Sequence, residues 1–329
     1  MKAATITAPH TIEIGTVPDP TPGPADVILE VAGAGICGTD LHIFEGGYAP
    51  SLPLIPGHEF AGTVAAAGRD VQGLRVGDVV SADPNIPCWR CRYCRAGRVN
   101  LCLHYDAVGV TRAGACATYV SVPAELCVLL PETLDVRDAA LLEPLSCAVH
   151  AFDLLGPRLG SSLAIYGSGT MGLMMLQLAL HAGFTSIDVI DPNPAKLVAA
   201  RELGASQTVA RAEEADPGAG WDTVIDATGA AAAIQSGLDH VARGGTFLQF
   251  GVSTPEAVVS INPFRIYDDE IRILGAVCPM NSFERSVQLM AAGFVDASVL
   301  ISDRVPLEAY ADAIHAFAGG QSRKIVVEP

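Results

Sequence analysis

Residues 35–59 contain several side chains that bind metals or transfer protons. They include Cys37, His58 and Glu59, with Thr39 and His42 shortly after the cysteine. A thiolate sulfur, an imidazole nitrogen and a carboxylate oxygen together suit tetrahedral Zn²⁺, and three protein ligands with one open position form a catalytic site. A single Cys-His pair is more often a buried cysteine beside a turn histidine. Further features of the chain favour the metal site.

A second group of metal-binding side chains lies further along the sequence. Four cysteines follow the spacing C-x2-C-x2-C-x7-C, namely Cys88, Cys91, Cys94 and Cys102. Four thiolates so close together can close a tetrahedral shell around one zinc, and a closed shell is structural because it leaves no position for substrate. Four arginines in the same lobe raise the alternative of a nucleic-acid zinc module. The net charge of the chain, −16, disfavours that alternative.

Length and composition limit the classes of protein to consider. A chain of 329 residues is long enough for two domains, and it is 50% hydrophobic with 17% charged residues, as is typical of a globular protein. It contains no long apolar run and no recognisable secretion signal, so its nine cysteines are expected to be thiols or metal ligands rather than disulfides. The acidic charge also disfavours an anionic membrane surface. We therefore expect a cytoplasmic protein without nucleic-acid or membrane partners.

The first part of the chain has the pattern of a small β-rich domain. Apolar and polar residues alternate near the start, and glycines and prolines separate further strand-like segments at 63–66, 78–81, 117–122 and 127–130. The four-cysteine segment, near 85–103, forms a lobe inserted between these strands. Near Asp138 the pattern changes to a helix, and we place the domain boundary just beyond that helix.

From Ser162 the sequence follows the pattern of a dinucleotide-binding fold. A buried strand leads into Gly167-Ser168-Gly169-Thr170-Met171-Gly172, which is a G-x-G-x-x-G motif, and an apolar helix follows. The glycines allow a tight turn close to a pyrophosphate, whose charge lies at the helix N-terminus. Asp191 follows the next strand at the distance expected for an acid that binds the ribose hydroxyls. A carboxylate there repels a 2′-phosphate, so NAD is favoured over NADP.

Further strands at 223–227, 246–250 and 271–276, with a helix at 230–242, complete a doubly wound parallel sheet of five or six strands.

Together these motifs resemble the zinc-dependent branch of the medium-chain alcohol dehydrogenase family, and are most similar to its polyol dehydrogenases for sorbitol, xylitol and arabinitol. Cys37-Gly38-Thr39-Asp40-Leu41-His42, Gly57-His58-Glu59, Glu143-Pro144-Leu145-Ser146, the four-cysteine lobe and the nucleotide glycines carry the resemblance. It implies an α/β protein with a GroES-like β-rich catalytic domain at 1–148 and 281–329. A Rossmann NAD-binding domain is expected at 149–280.

The resemblance also implies roles for individual residues. A catalytic zinc is held by Cys37, His58 and an acid, and both Glu59 and Glu143 are candidates for that acid. Asp40 corresponds to the acid that orients the ligating histidine. Thr39, the cofactor ribose and His42 correspond to a relay that carries the alcohol proton to solvent.

On the cofactor side, Lys196 corresponds to a basic residue on the adenosine ribose. Gly251, Val252 and Val277 resemble positions near the nicotinamide, and Arg323 resembles a pyrophosphate contact. A homo-oligomer is implied, with a tetramer favoured over a dimer.

The expected activity is zinc-dependent, NAD-linked oxidation of a secondary hydroxyl of a polyol or sugar-like alcohol to a ketone. The residues after His42 are Ile43 and Phe44, where sorbitol dehydrogenases usually have tyrosine directly after the histidine. An L-threonine 3-dehydrogenase is therefore the close alternative. A relative that binds NAD and zinc without catalysis is the alternative from another class.

Overall fold

A computed structural model of the chain describes residues 1–47, 51–279, 281–320 and 322–329. Its strands, in chain order, are β1 (Lys2–Ala8), β2 (Thr11–Thr16), β3 (Asp26–Gly35), β4 (Glu59–Ala67), β5 (Val79–Ala82), β6 (Asn85–Ile86), β7 (Asp106–Ala107), β8 (Tyr119–Pro123), β9 (Cys127–Leu129), β10 (Ser162–Tyr166), β11 (Ser186–Ile190), β12 (Gln207–Val209), β13 (Trp221–Asp226), β14 (Val241–Gln249), β15 (Arg272–Gly275), β16 (Ile301–Pro306) and β17 (Lys324–Glu328).

The α-helices are α1 (Gly38–Phe44), α2 (Arg92–Arg95), α3 (Leu142–Leu155), α4 (Thr170–Leu180), α5 (Leu197–Leu203), α6 (Ala231–Asp239), α7 (Pro263–Asp268), α8 (Phe283–Ala291), α9 (Ala297–Leu300) and α10 (Tyr310–Ala318). Short 3₁₀ helices occur at Val99–Leu101, Ala124–Leu126, Asp138–Leu141, Ala212–Ala215 and Leu307–Ala309. Within the ranges described, none of the helices has both the length and the apolar character needed to cross a membrane.

The chain divides into two compact units. The first unit comprises Met1–Ser146, Cys278–Gly293 and Ala297–Pro329, and the second comprises Cys147–Val277 and Phe294–Asp296. The first division lies two residues before the boundary expected from the sequence. The other expected boundary is residue 280, which lies outside the described residues. The second unit also contains Phe294–Asp296, a segment that the sequence analysis assigned to the first domain.

The first unit is built on a seven-stranded sheet with the order β16-β17-β3-β4-β5-β9, in which β8 also pairs with β3. Buried and exposed side chains do not alternate regularly along strand β3, and most of the strand is buried. This strand lies inside the sheet, with neighbouring strands on both of its edges. Its apolar side chains pack into a core with Phe60 and Tyr310, which are fully buried. Burial of each large apolar side chain contributes about 1.5–3 kcal/mol. The last strand, β17, pairs antiparallel with β3.

The second unit contains a six-stranded parallel sheet with the order β12-β11-β10-β13-β14-β15. This order is 3-2-1-4-5-6 in the numbering of the unit, which is that of a doubly wound dinucleotide-binding sheet. The structure confirms the predicted α/β class with a parallel sheet. Strand β12 was not expected from the sequence, because its three residues give too short a pattern to recognise.

Candidate functional site

Cys37, His58 and Glu59 form one group in the first unit. Their potential ligand atoms all lie within 4.8 Å of one another. Cys37 precedes α1 directly after β3, whereas Glu59 is the first residue of β4. The antiparallel register of these strands pairs Gly35 with Glu59 and therefore brings the three side chains together. A half-buried thiol together with a buried imidazole and a buried carboxylate fits a zinc ion.

Asp40 fixes the geometry of this group. Its Oδ2 accepts a hydrogen bond from the Cys37 backbone N–H at 2.9 Å, and its Oδ1 accepts one from the Gly57 N–H at 3.3 Å. Oδ1 also lies 3.7 Å from His58 Nδ1. Since Nδ1 faces this carboxylate, Nε2 is the nitrogen left to bind a metal.

The turn before His58 requires a glycine. Gly57 has φ +97°, and a Cβ at this position would lie 2.8 Å from the backbone nitrogen and from Sγ of Cys116. A larger residue would therefore both strain the backbone and displace Cys116.

The electrostatic environment of His58 is anionic. Burial lowers the pKa of His58, but Asp40 and Cys37 outweigh that effect, so the pKa lies well above its ordinary value. Nδ1 is buried without a hydrogen bond of normal length. A buried imidazole surrounded by a carboxylate and a thiol is an environment that favours a cation, as expected for a metal site.

The second candidate acid, Glu143, lies in the first turn of α3 and is half-buried. Its ligand atoms are not part of the 4.8 Å group formed by Cys37, His58 and Glu59. It is nevertheless close to that group: after Glu59 and Cys37, the negative charge of Glu143 also contributes to the raised pKa of Lys324, whose Nζ donates a hydrogen bond to Glu59. Both acids therefore lie in the same region of the first unit.

Lys324, which was not singled out from the sequence, is bound to Glu59. Its Nζ donates hydrogen bonds to both carboxylate oxygens of Glu59, at 2.7 and 2.5 Å, and to the carbonyl oxygen of Ile36 at 3.0 Å. Burial lowers the pKa of Lys324, but Glu59 and then Cys37 outweigh burial and raise it, so the ammonium is charged. No local pattern marks this lysine, because its partner lies 265 residues earlier in the chain.

The two residues of the expected proton relay lie on α1. Thr39 Oγ1 is 3.8 Å from Cys37 Sγ, and His42 is exposed to solvent. Residues three apart on a helix share a face, so Thr39 and His42 lie on one side of α1, one beside the metal group and the other in solvent.

The four-cysteine lobe forms a separate group in the first unit. The sulfurs of Cys88, Cys91, Cys94 and Cys102 lie within 4.8 Å of one another, and strands β6 and β7 pair at the base of the lobe. Backbone N–H groups of Cys94 and Leu103 donate to the sulfur of Cys91 and lower its pKa to about 6. This stabilised thiolate, with its three neighbours, fits the closed shell of a structural zinc.

In the second unit, the glycine motif lies between β10 and α4. Gly167 has φ +101°, and a Cβ on Gly172 would lie 1.8 Å from the carbonyl oxygen of Gly167, so α4 packs directly on the turn. Gly169 caps α4, whose first two residues are Thr170 and Met171, and the space around a Cβ on Gly169 is open to 4 Å. An open surface at the N-terminus of a helix of 11 residues fits a dinucleotide pyrophosphate.

Asp191 follows β11 and is buried. Its Oδ2 accepts a hydrogen bond from the Ser168 N–H at 2.9 Å, and its Oδ1 accepts one from the Asn193 N–H at 2.8 Å. These bonds connect the carboxylate to the glycine turn and leave lone pairs for hydroxyl groups. Lys196 is half-buried directly before α5, and its carbonyl oxygen accepts a hydrogen bond from the Ser168 hydroxyl at 2.9 Å.

The remaining cofactor candidates lie in different places. Gly251 follows β14 and packs against Gly229, where a Cβ would lie 2.1 Å from the Gly229 nitrogen. Val252 and Val277, also in the second unit, are 79% and 51% exposed. Arg323, in the first unit, donates from Nε to the carbonyl oxygen of Val299 at 2.8 Å.

Comparisons with known proteins agree across nearly the whole chain. Residues 23–132 match the alcohol dehydrogenase GroES-like domain, and residues 170–292 match the zinc-binding dehydrogenase domain. Sorbitol dehydrogenase of Bacillus subtilis is 35% identical over 95% of this chain and 92% of its own length. D-arabinitol dehydrogenase 1 of Uromyces fabae is 33% identical over 92% of this chain and 90% of its own. L-threonine 3-dehydrogenase of Bacillus velezensis is 34% identical over 95% of this chain and 94% of its own length.

A solved structure is also similar. A Sinorhizobium meliloti protein described as a zinc-binding dehydrogenase, bound to NADP, has a TM-score of 0.96 and 36% identity, and the match covers 100% of this chain and 99% of that one.

Proposed function

The chain belongs to the zinc-dependent alcohol dehydrogenase family, and we propose that it oxidises a secondary hydroxyl of a polyol or sugar-like alcohol to a ketone, with NAD⁺ as acceptor. The observation that carries the proposal is the group of Cys37, His58 and Glu59, whose ligand atoms lie within 4.8 Å of one another and beside Thr39. Relatives named sorbitol and D-arabinitol dehydrogenase support a polyol substrate.

Cys37, His58 and one of the two acids, Glu59 or Glu143, would hold the catalytic zinc. When bound, zinc lowers the pKa of a substrate hydroxyl, and the nicotinamide accepts the hydride from the adjacent carbon. Asp40 keeps the His58 ring in one orientation and leaves Nε2 free for the metal. The four cysteines of the lobe would hold a second, structural zinc.

The chain supplies a route for the proton of the alcohol. Thr39 Oγ1 lies 3.8 Å from Cys37 Sγ, so its hydroxyl would accept the proton of the alcohol as it passes its own proton to the next group of the relay. His42, on the same face of α1, is exposed, so its imidazole can transfer the proton to solvent. The cofactor ribose would link these two residues, as in the relay that the family resemblance implies.

The glycine turn and Asp191 support NAD as the cofactor. A buried carboxylate that accepts hydrogen bonds from the turn suits ribose hydroxyls and repels a 2′-phosphate. NADP is the second candidate, because the similar Sinorhizobium structure contains it. The two are separated by kcat/KM measured with each dinucleotide.

A homo-oligomer, with a tetramer favoured over a dimer, is part of the proposal. Strand β15 lies at the edge of its sheet, and Ile273 on that strand is exposed, as are Phe264 and Tyr267 of α7. Open strand edges with exposed apolar side chains are typical of surfaces that pair with another chain. Sedimentation velocity measures the mass. The nine free cysteines and the thiolate lobe also suit a reducing compartment, so we propose the cytoplasm.

The decisive experiment measures reduction of NAD⁺ and NADP⁺ with xylitol, sorbitol, ribitol, both arabinitols, galactitol, L-threonine and simple secondary alcohols. We expect a clear preference within the polyols, and loss of turnover with retention of the fold after a chelator removes the labile zinc. Turnover of L-threonine alone would instead assign the amino-acid branch, to which the Bacillus velezensis relative belongs by name. No turnover by zinc-loaded protein would overturn the proposal.

A further inference from the structure

Asp226 is a buried acid of the second unit that the function proposed above does not use. It is the last residue of β13 and is 0% exposed. In the parallel register it lies between Tyr166 of β10 and Gln249 of β14. Tyr166 directly precedes the glycine turn. Asp226 therefore ends its strand at the same edge of the sheet as that turn.

This edge is where a doubly wound sheet binds its ligand. Strands β10 and β13 are neighbours, although β11 and β12 come between them in the chain, so the strand order reverses at this pair. A dinucleotide binds outside the carboxyl ends of the strands at such a point, with one half on each side. The side of β10 to β12 carries the glycine turn and Asp191, which suit the adenosine half. The side of β13 to β15 is left for the nicotinamide half, and Asp226 ends its first strand.

The carboxylate of Asp226 is held by uncharged donors. Oδ1 accepts hydrogen bonds from the Thr228 N–H at 3.1 Å and the Thr228 hydroxyl at 2.6 Å. Oδ2 accepts them from the Gly229 N–H at 2.9 Å and from Gln249 Nε2 at 2.7 Å. A carboxylate only accepts hydrogen bonds, so four donors suit its charged form. In the described part of the chain no basic side chain pairs with it, so the charge is not cancelled.

The same hydrogen bonds shape the surface beside the glycine turn. Gln249 Nε2 also donates to the carbonyl oxygen of Gly251 at 2.7 Å, and the Gly251 N–H donates to the carbonyl oxygen of Asp226 at 2.8 Å. Thr228 is exposed, and its Cγ2 would lie 2.8 Å from a Cβ on Gly167. The buried charge therefore lies under a loop whose exposed residue contacts the glycine turn.

We propose that Asp226 is a selectivity-determining residue of the cofactor site, whose buried charge favours the oxidised nicotinamide over the reduced one. The inference rests on the proposed function, in which this unit binds a nicotinamide dinucleotide. The ring of NAD⁺ is a cation, and it becomes neutral when it accepts a hydride, with both electrons, from the alcohol carbon. A carboxylate without a counter-ion attracts the cation and not the neutral ring. Asp226 therefore helps to bind NAD⁺ and to release NADH.

The test measures the Kd of NAD⁺ and of NADH for the zinc-loaded, full-length protein by calorimetry, with no alcohol present. Asp226→Asn keeps the shape of the side chain without its charge, so we expect the ratio of the NAD⁺ Kd to the NADH Kd to rise on the order of tenfold. A tenfold rise makes the potential of the bound two-electron couple about 30 mV more positive. Asp226→Glu keeps the charge and should keep the wild-type ratio. Asp222→Asn, an exposed acid near the other end of β13, is the matched control and should also keep it.

A pair of variants at Gln249 changes the charge balance and leaves the acid in place. Gln249→Lys puts an ammonium beside Oδ2 of Asp226, so the ratio should rise as in Asp226→Asn. Gln249→Met has a similar length without a charge and should keep the wild-type ratio. A purely structural role of Asp226 would weaken both dinucleotides equally. An unchanged ratio in Asp226→Asn or, where that variant does not fold, in Gln249→Lys would overturn the proposal.

The ratio is independent of the substrate. If no polyol is oxidised but the ratio rises in Asp226→Asn, the proposed substrate is wrong and the role of Asp226 stands. If polyols are oxidised and the ratio does not change, the substrate stands and the role of Asp226 is wrong. Should NADP⁺ be the preferred acceptor, NADP⁺ and NADPH give the same ratio with the same expected rise.

Discussion

Replacement of Gly35 by alanine tests how tightly the metal group is packed. Gly35 ends β3, where it pairs with Glu59 on one side and with Val326 of β17 on the other. A Cβ here would lie 2.1 Å from Oε2 and 3.2 Å from Cβ of Glu59. The φ of Gly35 is not in the left-handed region, so alanine adopts this backbone without strain and the effect is one of space alone.

The magnitude follows from what must move. Glu59 cannot simply rotate away, because Lys324 holds both carboxylate oxygens and both side chains are buried. Overpacking of a buried site costs about 1–3 kcal/mol in the free energy of unfolding. Because Glu59 is shifted at the metal group, we also expect the affinity for the catalytic metal to change by about 10- to 100-fold.

Urea unfolding and metal content after incubation with a chelator measure the two effects. Gly15→Ala is the matched control: Gly15 is exposed in strand β2, and a Cβ there meets nothing within 4 Å. We expect the control to change the unfolding free energy by less than about 0.5 kcal/mol and to leave metal retention unchanged. If Gly35→Ala has the same free energy of unfolding and the same metal retention as Gly15→Ala, the described packing around Glu59 is incorrect.

Three further predictions concern other parts of the first unit. Burial raises the pKa of Asp83 from 3.8 to about 6, so its contribution to stability is complete below about pH 3.8 and is lost as the pH rises through about 6. Asp83→Asn should therefore stabilise the protein at pH 7, by about 1–3 kcal/mol, in urea unfolding. The pKa of Asp135 is shifted in the opposite direction, because Arg137 lowers it to about 2. The contribution of Asp135 to stability is therefore lost as the pH falls through about 2, and Asp135→Asn should destabilise the protein at pH 7. The same sign for both variants would contradict this assignment. Cys91→Ser should remove one zinc per chain and destabilise the first unit, since the metal of a closed site contributes to folding. Cys127→Ser, outside both clusters, is the control and should retain the metal content of the wild type; equal zinc content in the two variants would show that the lobe holds no metal.

Local spacing in the sequence was sufficient to predict which cysteines come together and where the glycine turn lies. Cysteines separated by two residues can reach one centre, and a strand, a G-x-G-x-x-G turn and a helix form a contiguous unit. The predicted parallel sheet was confirmed for the same reason, since each of its main strands is a short apolar run between turns. The 3.6-residue period after Asp138 likewise indicated a helix, which the structure has as a 3₁₀ turn followed by α3.

Contacts between distant segments could not be predicted from local pattern. The return of the C-terminal segment to the first unit was expected only from family resemblance, and the pairing of β17 with β3 depends on residues about 290 apart, such as Val326 and Gly35. Lys324 looked like an ordinary lysine at the start of a strand. Its burial beside Glu59 follows from sheet register, which a single sequence does not reveal.

The pairing of β17 with β3 has a consequence for biosynthesis. Glu59 leaves the ribosome 265 residues before Lys324, which at 5–20 residues per second is a delay of roughly 15 to 50 s. Part-way through this time the segment Cys147–Val277 is complete and can fold, whereas the sheet that holds the metal group still lacks its two C-terminal strands, β16 and β17. We therefore expect the inserted unit to mature first on the nascent chain, and the catalytic metal to be acquired only after translation has delivered the last strand.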